Sequence, residues 1–256
     1  AAIVTGKTIA GTGTLNLTDL EDTLGAVLNN ITTTTVTASL DSTDNKELGA
    51  AANLGDFAVT INGTGTVTAN ASATLVSGTG KFIVGDNATL QLTAAHATGL
   101  TIEDKSGETG NVTITTLNGT TGAILAGITA TGTISVKTSA DIESGDPFDG
   151  TFPATAFTLG GAGTHDIYID HATSTGITTG KTLTVANDTT IFIPANEITA
   201  KTVTTVNGNI HITALNATAA ADLSNITETD SGSVTVTTSD DVTFIGKFPN
   251  AAFELK

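Results

Sequence analysis

The sequence predicts an all-β chain wound as a parallel β-solenoid (a β-helix), with a short helical turn in each repeat of about 100 residues. Three observations lead there: self-similarity at that period, short strands marked by strict alternation, and an aromatic content of only 4%. A string of immunoglobulin-like β-sandwiches is the alternative that the same repeat length allows. The sandwich needs large aromatic side chains in its core, whereas the narrow interior of a solenoid suits stacked Val, Ile, Leu, Ala and Thr.

The repeat is read from segments that return in register. LNNITTTTVTASLD begins at Leu28, LAGITATGTISVKTSAD at Leu125 and LSNITETDSGSVTVTTSDD at Leu223. Ser39, Ser139 and Ser239 fall in step, as do Asp41, Asp141 and Asp241. Gly80-Lys81 returns as Gly180-Lys181, and Asn87-Ala-Thr89 as Asn187-Asp-Thr189. GNVTITTLNGT from Gly110 returns as GNIHITALNAT from Gly208, and FPATAF from Phe152 as FPNAAF from Phe248. These echoes divide the chain into a partial repeat (1–27), two copies (28–124 and 125–222) and a further partial copy (223–256). A chain that starts and stops in mid-repeat is expected of a section of a longer array, or of a subunit built to join others end to end.

Strands are marked by apolar residues at every second position, as in Val112-Thr-Ile114, Ile134-Ser-Val136, Ile167-Tyr-Ile169, Ile210-His-Ile212 and Val234-Thr-Val236. Clusters such as Gly78-Thr-Gly80 and Asn62-Gly63 separate them. One helical segment is expected in each copy. Thr18–Leu28 has a capping residue, early acids and apolar residues at helical spacing, with shorter counterparts at Thr120–Leu125 and Thr218–Leu223. The copies adjoin without a Pro-rich or polar linker, as a continuous stack would.

Composition excludes several function classes. The net charge is −16, from 25 acids against 9 basic residues, all of them Lys. A chain without Arg and without clustered cations is not expected to bind nucleic acid. With no Cys there is neither a disulfide framework nor a thiolate nucleophile. The absence of Cys and Met, the most readily oxidised side chains, fits an extracellular location. No stretch reaches the ~18 continuous apolar residues of a membrane helix, and membrane insertion is not expected.

Few patterns carry chemistry, and no enzyme is expected. In His165-Asp-Ile-Tyr-Ile-Asp-His171, Asp166, Tyr168 and Asp170 would share one face of a strand and could act as a carboxylate pair. The competing reading turns Ile167 and Ile169 inward and leaves the acids solvated. Asp141, Glu143, Asp146 and Asp149 sit in a Gly- and Pro-containing loop, where hard oxygen ligands at short spacing suit calcium, the one cofactor expected. Their spacing is not that of an EF-hand, and the glycine-aspartate nonapeptide of calcium-binding β-rolls is absent. Related turns hold Asp41, Asp44 and Glu47, and Asp240 and Asp241. Asn-x-Ser/Thr sequons recur, among them Asn16, Asn30, Asn87, Asn118, Asn187, Asn216 and Asn225, as abundant Thr makes them do by chance. Thr-x-Thr pairs such as Thr113/Thr115 and Thr182/Thr184 suggest a flat hydroxyl ladder of the kind ice-binding solenoids use, but in the sequence these pairs drift in register. Lys81 and Lys181 follow Gly outside any phosphate-loop pattern.

The LxNIT-type segments and their SxD endings resemble the repetitive passengers of very large secreted bacterial surface proteins: S-layer-like proteins, adhesins and the calcium-dependent secreted class. That resemblance spans nearly the whole chain in style. It implies a β-rich coat, filament or stalk at the cell surface, with calcium at turns. The expected function is therefore a self-assembling structural subunit that partners with copies of itself. An adhesin or fibre segment that binds glycans or a host surface is the alternative; the Phe residues of FDGTFPATAF and FIGKFPNAAF would form its patch, unless they plug the core.

Overall fold

A computed structural model describes residues 6–17, 27–42, 44–76, 80–119, 122–161, 163–169, 181–215, 221–238, 244 and 246–256. By contacts the chain forms two compact units, Ala1–Ile114 with Gly127–Ile134, and Thr115–Ala126 with Ser135–Lys256. Their borders do not fall on those of the sequence repeats.

The first unit contains β1 (Ile9–Leu17), β2 (Ile31–Ser42), β3 (Lys46–Leu48), β4 (Asn53–Gly55), β5 (Ala58–Gly63), β6 (Thr66–Ala69), β7 (Thr74–Val76), β8 (Lys81–Val84), β9 (Thr89–Thr93), the one-turn helix α1 (Ala94–Ala97), β10 (Thr101–Asp104) and the start of β11 (Asn111–Leu117). Among the described residues its strands pair in parallel. One sheet runs β1-β2-β5-β8-β10, a second contains β3-β6-β9, and β4 pairs with β7. Three successive strands thus make one coil: β2-β3-β4, then β5-β6-β7. In the third coil α1 follows β8 and β9 where the others have a third strand. This is a parallel β-solenoid.

The second unit contains β12 (Ile134–Thr138), β13 (Phe157–Gly161), β14 (His165–Tyr168), β15 (Thr182–Val185), β16 (Thr189–Pro194), α2 (Ala195–Ile198), β17 (Thr202–Val206), β18 (Asn209–Leu215), β19 (Ile226–Thr229), β20 (Ser233–Thr238) and β21 (Phe253–Leu255). Here β12-β13-β15-β17-β19 form one parallel face and β14-β16-β18-β20-β21 another. Side-chain bonds from one coil to the next join residues 19 to 27 apart.

Alternation produces the core. Inward positions stack in rows along the coils: Val59, Phe82, Ile102 and Ile128 in the first unit, and Ile167, Ile191, Ile210 and Val234 in the second. All eight are at most 2% exposed. Each such burial is worth roughly 1.5–3 kcal/mol relative to leaving the side chain in water. A parallel stack buries these β-branched residues without requiring large aromatics, which is why a 4% aromatic chain can fold this way.

The helix expected at Thr18–Leu28 lies almost wholly outside the described residues, and its shorter counterparts are not helical where they are described. Residues 18–26, 120–121 and 216–220 lie outside the described residues, but the remainder of those segments is extended: Ile124 bridges to Thr151 and Asp222 to Lys247. Short helices occur instead at Ala94–Ala97 and Ala195–Ile198, again one per copy. At α1 the Thr93 hydroxyl accepts from the His96 amide at 3.2 Å, and the Thr98 hydroxyl donates to the Ala94 carbonyl at 2.9 Å. Thr199 repeats the second bond at Ala195 (2.8 Å). One turn is too short to show helical periodicity, so pattern reading misses it.

The repeat and the coil do not share a period. By sequence, β12 and β20 are the same repeat position, and so are β13 and β21. Yet β12 and β13 lie in one sheet and β20 and β21 in the other. Across the borders between copies the pairing is parallel as well: Leu15 pairs with Val36, Ile102 bridges to Ile128 and Val203 pairs with Ile226. Within a copy the contact is the same, as where β2 pairs with β5, Ala38 with Val59. About 100 residues is not a whole number of these coils, so each copy carries the chain round to a different face.

Candidate functional surfaces

Several of the acidic residues are clasps between coils. Asp104 accepts from the Gly110 amide (2.8 Å) and from the amide and hydroxyl of Thr131 (2.8 and 2.5 Å). Glu108 accepts from the Asp86 amide at 2.9 Å, and Asp86 from the Thr109 amide at 2.5 Å. Lys105, hydrogen-bonded to Glu108, holds that carboxyl below its ordinary range, with the Asp86 amide assisting. Asn side chains do the same at other corners: Asn45 accepts from Thr66, Asn111 from Thr133 and Asn207 from Ser231. Each bond satisfies a backbone donor that a tight corner leaves without a ladder partner. These residues escaped sequence reading because their partners are a coil away, and coil length varies.

The loop expected to hold calcium follows the same pattern at one end. Asp141 accepts from the Asp166 amide at 3.0 Å and lies 3.4 Å from His165 Nδ1. The Asp146 amide donates to the Glu143 carbonyl at 3.1 Å, closing a turn. Asp146 and Asp149 lie over Gly119 and Gly122, where a Cβ would meet the backbone of the one and the carboxylate of the other. Among the described residues no three His, Asp or Glu side chains are grouped around a point where one cation could be shared. The related acids behave likewise: Glu47 accepts from Asn70 at 3.0 Å, while Asp240 and Asp241 lie outside the described residues.

In the His165–His171 segment, Ile167 and Ile169 are buried, as the inward reading expects, and Asp170 and His171 lie outside the described residues. His165 Nε2 is buried without a partner. Tyr168 stacks on Phe192 (centroids 4.1 Å, planes 2° apart), and Phe192 meets His211 at 5.0 Å. His211 is in turn 2.6 Å from the Thr237 hydroxyl. Burial, with the charge of Lys256 adding, lowers the pKa of His211. Since the faces of Tyr168 and Phe192 are turned on each other, the stack offers mainly ring edges to the outside.

The two Phe motifs have matching geometry and different surroundings. Phe148, Phe152 and Phe157 stack at 4.8 and 5.1 Å and are at most 4% exposed, with Phe148 bridged to Ile169 and Phe157 paired with Leu183. Phe244, Phe248 and Phe253 stack at 4.4 and 5.0 Å, but Phe248 and Phe253 are 40% and 37% exposed. The first set plugs the core. The second lies by an open cleft of about 410 Å³ lined by Glu228, Ser233, Thr235, Phe253 and Glu254.

The outer side of the β12–β19 face has another character. Ser135, Thr158, Thr184, Thr204 and Thr227 are partners from strand to strand, five hydroxyls in one row. Thr182 and Thr202 form a second row beside it. Strands β13, β15 and β17 contain no charged residue. A single hydroxyl row is thus continuous from β12 to β19, whereas the Thr-x-Thr pairs coincide only on β15 and β17 and are shifted by two residues on β19, where Thr229 stands beside Val206.

The class these features define is the parallel β-solenoid, with acids and amides clasping its corners. No protein-family profile, curated protein or solved structure matches the chain.

Proposed function

We propose that the chain is a structural, self-assembling protein of the cell surface, a subunit or section of an S-layer or extracellular filament. The observation that carries this reading is the joint between copies. Ile102–Ile128 and Val203–Ile226, which cross the borders at 124/125 and 222/223, are ordinary parallel pairings, the same contact that joins coils within a copy. A sheet that passes from copy to copy by its own backbone bonds lengthens without linkers, and its edge strands are templates for further strands. The use of acids such as Asp86, Asp104, Glu108 and Asp222 as clasps between coils supports a scaffold role. An extracellular setting fits the lack of Cys and Met. Calcium at Asp141, Glu143, Asp146 and Asp149 would be an added brace rather than a requirement.

Binding of glycans or a host surface is the second reading, favoured by the partly exposed Phe248 and Phe253. The test is electron microscopy of the purified chain across a concentration series. Ordered filaments or sheets are expected; dispersed monomers throughout, together with retention on a glycan array, would shift the assignment to an adhesin.

A further inference from the structure

We infer that the outer face of β12, β13, β15, β17 and β19 is an ice-binding surface, with an ordered water lattice as its ligand. The arrangement repeats in two directions. Along the stack, Ser135, Thr158, Thr184, Thr204 and Thr227 succeed one another at the spacing of neighbouring strands, about 4.8 Å. Along each strand, Thr182 and Thr184, and Thr202 and Thr204, stand two residues apart, about 6.6 Å. On β19 a further Thr, Thr229, stands two residues beyond Thr227 on the other side of the row, beside Val206. The Thr204 and Thr227 hydroxyls lie 3.1 Å apart and lock each other's orientation.

Charge and shape select the ligand. In a chain of net charge −16, β13, β15 and β17 carry no ionised side chain; Lys137 stands at one margin on β12. Ions organise water about themselves and would break a lattice; hydroxyls donate and accept as water does. Two residues on from the row, Gly160 (buried), Ala186 and Val206 are small and apolar, so β13, β15 and β17 add no protruding or polar side chain there; Lys137 and Thr229 hold the equivalent positions on the flanking strands β12 and β19. It also lacks the aromatic rings on which sugars stack. Those lie on the second sheet of the unit, at Tyr168 and Phe192.

The test uses the full chain and ice grown from dilute buffer. Thermal hysteresis and inhibition of ice recrystallisation are measured for the wild type, Thr184→Lys, Thr204→Lys and the control Thr190→Lys on β16, with circular dichroism to check folding. The wild type and the control are expected to separate melting from freezing and to keep ice grains small. Either face variant is expected to lose most of that activity while keeping its β spectrum. Folded wild type without effect on ice overturns the inference whatever the variants do. So does full activity in both folded face variants, and so does binding to crystalline chitin or cellulose with no effect on ice.

Discussion

At the scale of single residues, backbone strain marks where the repeat diverges. Gly99 ends α1 with φ +74°, a conformation that costs glycine nothing. After α2 the same place is held by Ala200, at φ +57° and exposed. Ala200→Gly is therefore expected to stabilise the protein by about 1 kcal/mol, read as a raised midpoint in denaturant. Glycines elsewhere serve close approach. A Cβ on Gly208 would run into the Ala186 carbonyl and Val185, as one on Gly110 would into Val84. Asp222 shows the electrostatic side. The Lys247 ammonium at 2.7 Å, then the Ser224 hydroxyl and amide, lower its carboxyl from 3.8 to about 2. A depressed folded-state value favours folding above 3.8 and stops doing so as the pH falls through about 2. The melting difference between wild type and Asp222→Asn should accordingly be full at neutral pH and shrink across that window; a difference constant from neutral pH to pH 2 would contradict the assignment.

At the scale of elements, the inward rows set stability and the corner clasps set register. Ile191 sits between Ile167 and Ile210 at 0% exposure. Ile191→Ala should cost about 2–5 kcal/mol in chemical denaturation, since coils above and below are held apart by their backbone bonds and cannot collapse into the cavity. Asp104→Ala strips the acceptor from the Gly110 and Thr131 amides and is expected to cost about 1–3 kcal/mol. Alternation made the strands readable, and residues such as Ile167 and Ile210 were placed inward from sequence alone. The clasps were not readable, because Asp104 and Thr131 stand 27 residues apart and nothing local links them. The brief helices were missed for a different reason: Ala94–Ala97 is a single turn, and its capping threonine is one among many.

At the scale of the whole molecule, copies are joined by parallel pairing rather than by linkers. Single-copy fragments cut at 125 or 223 should expose paired edges and aggregate, whereas rods should lengthen in proportion to copy number when repeats are added, both measurable by light scattering. If calcium braces the loop at Asp141, Glu143, Asp146 and Asp149, the thermal midpoint will rise on titration with the ion. An unchanged midpoint would count against the brace.

The sequence by itself determined the all-β class, the period near 100 residues, the apolar rows and the scarcity of catalytic groups, because each of these is a property of local alternation or composition. Tertiary structure alone decided which coil lies on which. It turned repeat-equivalent strands such as β13 and β21 onto different sheets, and it brought unevenly spaced threonines into a single row. The physical reason is that coil closure depends on corner geometry, where a residue more or less changes no local pattern yet resets every contact to the next coil.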